Sequence, residues 1–147
     1  MRTKQQNIHL IQRLSEANGV SGFEDEVIEI AFDVLSSMNP TVDFINNLYV
    51  NLGSKDSHRP KIWLDAHSDE IGFMIQAINP NGTMQILPIG GWDPSNVIGS
   101  RVRVRNRQGK YIPGIVATKP VHFKNEVDTH LGTTFSHLVL DVGASSE

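Results

Sequence analysis

The hydrophobic period of this chain changes near residue 73, and few folds accommodate such a change. Before it, apolar residues recur at helical spacing: Ile8, Ile11 and Leu14 with Leu10 and Ala17, and then Val27, Ile30, Ala31, Val34, Leu35 and Met38. After it, the pattern has a period of two and is broken by turn residues. Asn81-Gly82 stands between two apolar runs, Gly90-Gly91 makes another turn, and Arg101, Arg103 and Arg105 alternate with Val102 and Val104 ahead of Gly109. The expected fold is a helix-bearing first piece and an all-β second piece, joined near Phe73. Asn81 and Gly82 both tolerate the positive φ of a tight hairpin. The alternating arginines read as the solvated face of a half-buried strand.

The first piece contains two helices. One covers residues 5–17 and is stopped by Gly19; the other is opened by a capping box of Ser21 and Glu24 and closed by Pro40. The acids Glu24, Asp25, Glu26 and Glu29 complement the dipole of the second helix and need no metal to explain them. Residues 41–52, rich in β-branched and aromatic side chains, supply one or two strands. Residues 138–142 form a last strand.

Between the two pieces lies the stretch with chemical content, residues 61–73. An unalternating apolar run, Ile62, Trp63 and Leu64, breaks into Asp65, His67, Asp69 and Glu70. Such a run reads as a strand buried on both faces, and open α/β sheets carry their chemistry beyond the carboxyl ends of their strands. In extended backbone, residues two apart point the same way, so His67 and Asp69 converge. An imidazole with a carboxylate beside it suits a divalent metal, as two ligands or as a ligand and the group that orients it. Position and spacing leave this open against a plain strand-end turn with solvated acids.

Composition narrows the class. With 147 residues the chain can bury a real core, and a net charge of -3 argues against a nucleic-acid or membrane-surface protein. It has no cysteine, which excludes disulfides and thiolate metal sites and makes a reducing cytoplasm the natural expectation. No apolar stretch approaches the ~20 residues of a membrane span. His122, His130 and His137 match no tight metal-site spacing.

The ordered segments GVSGFEDEV (residues 19–27), DAHSDEIGFMI (65–75), IGG (89–91), a GKYIPGIV hairpin, KPVH (119–122) and LVLDVGASS resemble the glutamyl aminopeptidase family of metallopeptidases, which includes the tetrahedral (TET) and deblocking aminopeptidases. The resemblance implies an α/β catalytic domain interrupted by a small PDZ-like β-barrel used in assembly. Residues 1–72 would be the first segment of the catalytic domain, and residues 73–147 the inserted barrel, incomplete. Matched residue by residue, His67 is the first metal ligand and Asp69 the catalytic-site carboxylate that orients it, while Glu70 lies outside the metal shell. Ser68 stands where a methionine is usual. The implied reaction is hydrolysis of amino-terminal residues from peptides by two divalent ions, zinc, cobalt or manganese, in a cytoplasmic homo-oligomer. The chain ends on Gly143 to Glu147, a sequence of the kind that precedes a helix, and the remaining ligands and the general base would lie beyond it. A truncated, inactive chain is therefore expected. The alternatives are a non-catalytic binding or assembly module and, because some relatives carry a cellulase label, a glycan hydrolase with paired carboxylates.

Overall fold

A computed structural model describes residues 2–51, 53, 58, 60–119 and 133–146. The chain divides into two compact units, Met1–Glu70 and Ile71–Glu147.

In the first unit, helix α1 (Lys4–Glu16) opens on a capping box that the sequence reading missed. The Thr3 hydroxyl accepts from the Gln6 backbone N–H, and the Gln6 side chain accepts from the Thr3 N–H. Its apolar stripe is present but stays largely in solvent, with no residue of the helix buried. Helix α2 (Asp25–Leu35) begins later than its expected cap. Ser21 is not the cap; its hydroxyl is engaged elsewhere, and Glu24 takes the N-cap position without a side-chain bond. A 3-10 turn, Ser36–Met38, extends α2, and Asn39 closes it in the left-handed region at φ 51° just before Pro40. Strands β1 (Thr41–Val42) and β2 (Leu48–Tyr49) form a small antiparallel pair.

The expected buried strand at residues 62–64 is not formed. The run is free of regular structure, and Ile62, Trp63 and Leu64 are 86%, 76% and 90% exposed. A doubly covered strand requires neighbours along both edges and over both faces, and among the described residues none flanks this run. The sequence carried the hydrophobic half of the instruction without the partners.

Among its described residues the second unit has strands and short 3-10 turns but no α-helix, in keeping with its period-two pattern. Strands β3 (Gly72–Ile78), β4 (Met84–Ile89), β5 (Arg101–Arg105), β6 (Tyr111–Thr118) and β7 (Leu138–Asp141) make an antiparallel sheet of order β3-β4-β7-β6-β5. The last strand in sequence is thus central, lying between two hairpins. Ile86, Val97, Val116, Leu138 and Leu140 form the core, with Phe73, Trp92 and Phe135 packed against it. The Phe73 and Trp92 rings stack at 4.8 Å, and the Trp92 indole N–H donates to the Gly72 carbonyl at 2.9 Å.

Both hairpin loops have one construction. Asn79 N–H donates to Thr83 O and Asn106 N–H to Lys110 O, each loop ending on a glycine in the left-handed region, Gly82 at φ 81° and Gly109 at φ 78°. This is the three-residue loop with a bulged glycine. Asn81 therefore does not take the positive φ expected of it; the loop is one residue longer than the two-residue turn its Asn-Gly pair implies.

Candidate functional site

The chemistry-bearing residues of the first unit are gathered where the loop after α1 meets residues 68–70. Val20 and Glu70 form a parallel bridge, and the Glu70 N–H donates to Gly19 O at 2.7 Å. In return the Gly19 N–H donates to Oε1 of Glu70 at 3.2 Å. Gly19 permits this approach because it has no side chain. A Cβ there would stand 2.8 Å from Cγ2 of Val27 and 3.3 Å from the Ser68 carbonyl oxygen.

The bridge brings Ser21 to Asp69. The Ser21 hydroxyl donates to Oδ2 of Asp69 at 2.5 Å, while Oδ1 of the same carboxylate lies 2.9 Å from Nδ1 of His67. Nδ1 also lies 3.0 Å from the Asp69 carbonyl oxygen. The Ser21 hydroxyl first, and then the His67 ring, hold the Asp69 carboxyl below the ordinary aspartate value, since both bonds favour the charged form. His67 and Asp69 thus meet as their spacing predicts, although no strand delivers them.

The geometry also fixes the use of the ring. With Nδ1 committed to acceptors on Asp69, the proton of a neutral imidazole belongs there and Nε2 carries the lone pair. Among the described residues Nε2 has no partner, and the His67 side chain is 86% exposed. A metal-ligating histidine backed by a carboxylate has this arrangement, so the pair fits one ligand of a metal centre and its orienting group. A complete ligand set is a different matter: no group of three or more His, Cys, Asp or Glu among the described residues is placed to hold an ion. His122 and His130 lie outside the described residues.

Two participants escaped the sequence reading. Ser21 resembled a helix cap, and Glu70 a bystander in the motif; the first anchors Asp69 and the second clamps Gly19. The only signal was that GVSG and HSDE occur in a fixed order, and order does not reveal contact.

The sequence profile of the M42 glutamyl aminopeptidase family matches residues 46–147. The chain belongs to this family. A glutamyl aminopeptidase of Lactococcus lactis subsp. cremoris is 36% identical over 114 residues, covering 76% of this chain and 32% of that protein. A lysyl aminopeptidase of Pyrococcus furiosus is 31% identical over 143 residues, covering 93% and 40%. The M42 chain therefore spans well under half the length of these relatives. Among solved structures, a TET aminopeptidase from a marine sediment thaumarchaeote superposes with a TM-score of 0.87 at 30% identity, over 97% of this chain and 40% of that one. The dodecameric PhTET1-12s matches at TM-score 0.78 and 29% identity, over 95% and 40%. A Thermotoga maritima structure titled an endoglucanase matches at 0.71 and 30%, over 90% and 38%. No described helix of this M42 chain is long and apolar enough to cross a membrane.

Proposed function

We propose that this chain is the amino-terminal part of a metal-dependent aminopeptidase that removes amino-terminal residues from peptides. The observation that carries the reading is the His67–Asp69 contact at 2.9 Å, which leaves Nε2 of the ring as an outward-facing ligand atom. In this reading His67 holds one of two divalent ions, zinc, cobalt or manganese. Asp69, anchored by Ser21, fixes the tautomer and the ring orientation. When bound, the metal pair supplies Lewis acidity toward the scissile carbonyl and a hydroxide equivalent at neutral pH.

Residues 1–72 serve as the first segment of the catalytic domain, and residues 73–147 as a PDZ-like barrel used in assembly. The intact protein is a homo-oligomer, a proposal supported by the assembly of the solved TET relatives into dodecamers and larger shells. Its compartment is the cytoplasm.

These 147 residues alone should not turn over substrate, because His67 is the only motif-matched ligand they contain. Each ~1.4 kcal/mol of lost metal and base catalysis lowers the rate tenfold. The test is to add zinc, cobalt or manganese to the chain and assay amino-acid anilides, with zinc titrated calorimetrically in parallel. The expected result is no turnover and weak zinc binding that disappears in His67→Ala. Turnover abolished by the same substitution would mean that the site is more complete than proposed, and zinc binding unchanged by it would remove His67 from the site. The endoglucanase reading requires two carboxylates flanking a sugar; hydrolysis of a soluble glucan by the chain would favour it.

A further inference from the structure

The chain contains two Asn-Gly steps, Asn18-Gly19 in the first unit and Asn81-Gly82 in the second. Such a step is chemically labile, because glycine has no side chain to keep its amide nitrogen away from the preceding carboxamide. The fold treats the two steps differently. At Asn18 it holds both reacting nitrogens. Nδ2 of Asn18 donates to both carboxylate oxygens of Glu26 at 2.9 Å, and the buried Gly19 N–H donates to Oε1 of Glu70 at 3.2 Å. The nitrogen that would leave and the nitrogen that would attack are thus engaged, and two carboxylates disfavour any further negative charge beside them.

At Asn81 the fold grips the other end of the carboxamide. Oδ1 accepts the Thr83 N–H at 3.2 Å and the Thr83 hydroxyl at 2.8 Å, and the residue is exposed in the β3–β4 loop. The hydroxyl is aimed there by a third bond: Thr83 Oγ1 accepts from Nδ2 of Asn79 at 2.9 Å, which leaves its proton for Asn81. Two donors on one carbonyl oxygen polarise Cγ and stabilise the charge that develops on Oδ1 when a nucleophile adds. The ring closed by the bond from Thr83 N–H to Oδ1 contains the Asn81-Gly82 peptide, so the Gly82 nitrogen is the nucleophile that the ring encloses. Among the described residues Nδ2 of Asn81 has no partner. The Gly82 N–H donates to Asn79 O at 2.8 Å, and this one bond must open first.

We infer that Asn81 is a site of spontaneous self-modification, in which the loop converts its own carboxamide to a carboxylate with Thr83 as the oxyanion donor. The Gly82 nitrogen gives its proton to solvent hydroxide and bonds to Cγ of Asn81. The tetrahedral intermediate collapses by breaking the Cγ–Nδ2 bond, and the nitrogen leaves as ammonia after taking a proton from water. Water then opens the cyclic imide at either carbonyl, giving aspartate or isoaspartate; the net change is one amide and one water to one acid and one ammonia. Residues 71–92 contain no Asp, Glu, Lys, Arg or His, so the product places the first charge in the β3–β4 hairpin. Isoaspartate also lengthens the main chain beside Gly82, where even a Cβ would run into the Ala144 carbonyl. The modification therefore marks aged molecules and loosens this hairpin.

The experiment ages the full chain in warm, mildly alkaline buffer, with and without urea, and follows both asparagines by peptide mass spectrometry with an isoaspartate-specific label. In urea the two Asn-Gly steps should convert at similar rates. In the folded chain Asn81 should convert at least about tenfold faster than Asn18, and no slower than it does in urea. Thr83→Val, which removes the hydroxyl donor, should slow Asn81 by about tenfold in the folded chain only, and Thr83→Ser should restore the rate. Slower conversion of Asn81 in the folded chain than in urea would mean that the loop protects the residue, and would overturn the proposal. A rate at Asn81 that Thr83→Val leaves unchanged or raises would overturn the role of Thr83. Because the urea comparison uses the native sequence alone, it decides the matter even if Thr83→Val folds poorly.

Discussion

Ser21 and Asp69, 48 residues apart in sequence, are joined by a hydroxyl–carboxylate hydrogen bond of 2.5 Å. Through it the loop after α1 anchors the carboxylate that orients His67. Ser21→Ala should therefore loosen the whole crossing rather than one side chain. The amide of Glu70, held by Gly19 O, should exchange with solvent about tenfold faster, and Ser21→Thr should restore the protection. Hydrogen exchange followed by NMR reads both.

Gly19→Ala attacks the same crossing from the packing side. A methyl group 2.8 Å from Val27 Cγ2, with a carbonyl oxygen at 3.3 Å, forces α2 and residue 68 to give way. The expected loss is about 1–3 kcal/mol, measured by urea unfolding of the first unit's circular dichroism signal.

Acid should weaken the β1–β2 turn. Asp43 accepts from the Asn47 side chain and backbone, the Ile45 N–H and the Tyr49 hydroxyl, and these bonds, that of the Asn47 side chain foremost, hold its carboxyl below the ordinary value. A depressed folded-state value means that the stabilisation is complete above the unfolded value near ~3.9 and is lost as pH falls through the folded one. An unfolding series between pH 6 and pH 2, each about two units from that value, should show this loss in the native chain and less of it in Asp43→Asn.

The two hairpin glycines offer a matched comparison. Alanine at either must adopt a positive φ, at a penalty of about 1 kcal/mol. At Gly109 nothing lies within 4 Å of the new Cβ, whereas at Gly82 it would come within 2.3 Å of the Ala144 carbonyl oxygen. Gly82→Ala should be the more destabilising by a further 1–3 kcal/mol or so, read from paired thermal melts.

The exposed run at residues 62–64 should make the chain self-associate, since apolar side chains 76–90% in water gain by mutual burial. Sedimentation velocity should find species heavier than the 16.3 kDa monomer, and serine at Ile62, Trp63 and Leu64 should return it to that mass. A monomer with the native run intact would contradict this.

Where information was local, the sequence carried it. The periods of 3.6 and two placed α1, α2, both hairpins and β7, and residues two apart put His67 beside Asp69. What could not be read depended on distant partners. Ser21 satisfies the pattern of a helix cap equally well whether it caps or reaches Asp69. Ile62 to Leu64 meet the hydrophobic requirement of a buried strand, but burial also requires neighbours that the run itself does not specify. The Asn81-Gly82 loop was misjudged by one residue because Asn-Gly favours the shorter turn, while Asn79 and Thr83 close the longer one through their backbone bond.

The central place of β7 sets a timetable for synthesis. On a ribosome the two hairpins emerge early, each closed by a short loop, yet neither can complete the core, because Leu138 and Leu140 are still to come. Until the strand at Leu138–Asp141 leaves the exit tunnel, the inner edges of β4 and β6 remain open. Two sticky ribbons then wait for their wedge, so chaperone demand should last until β7 has cleared the tunnel.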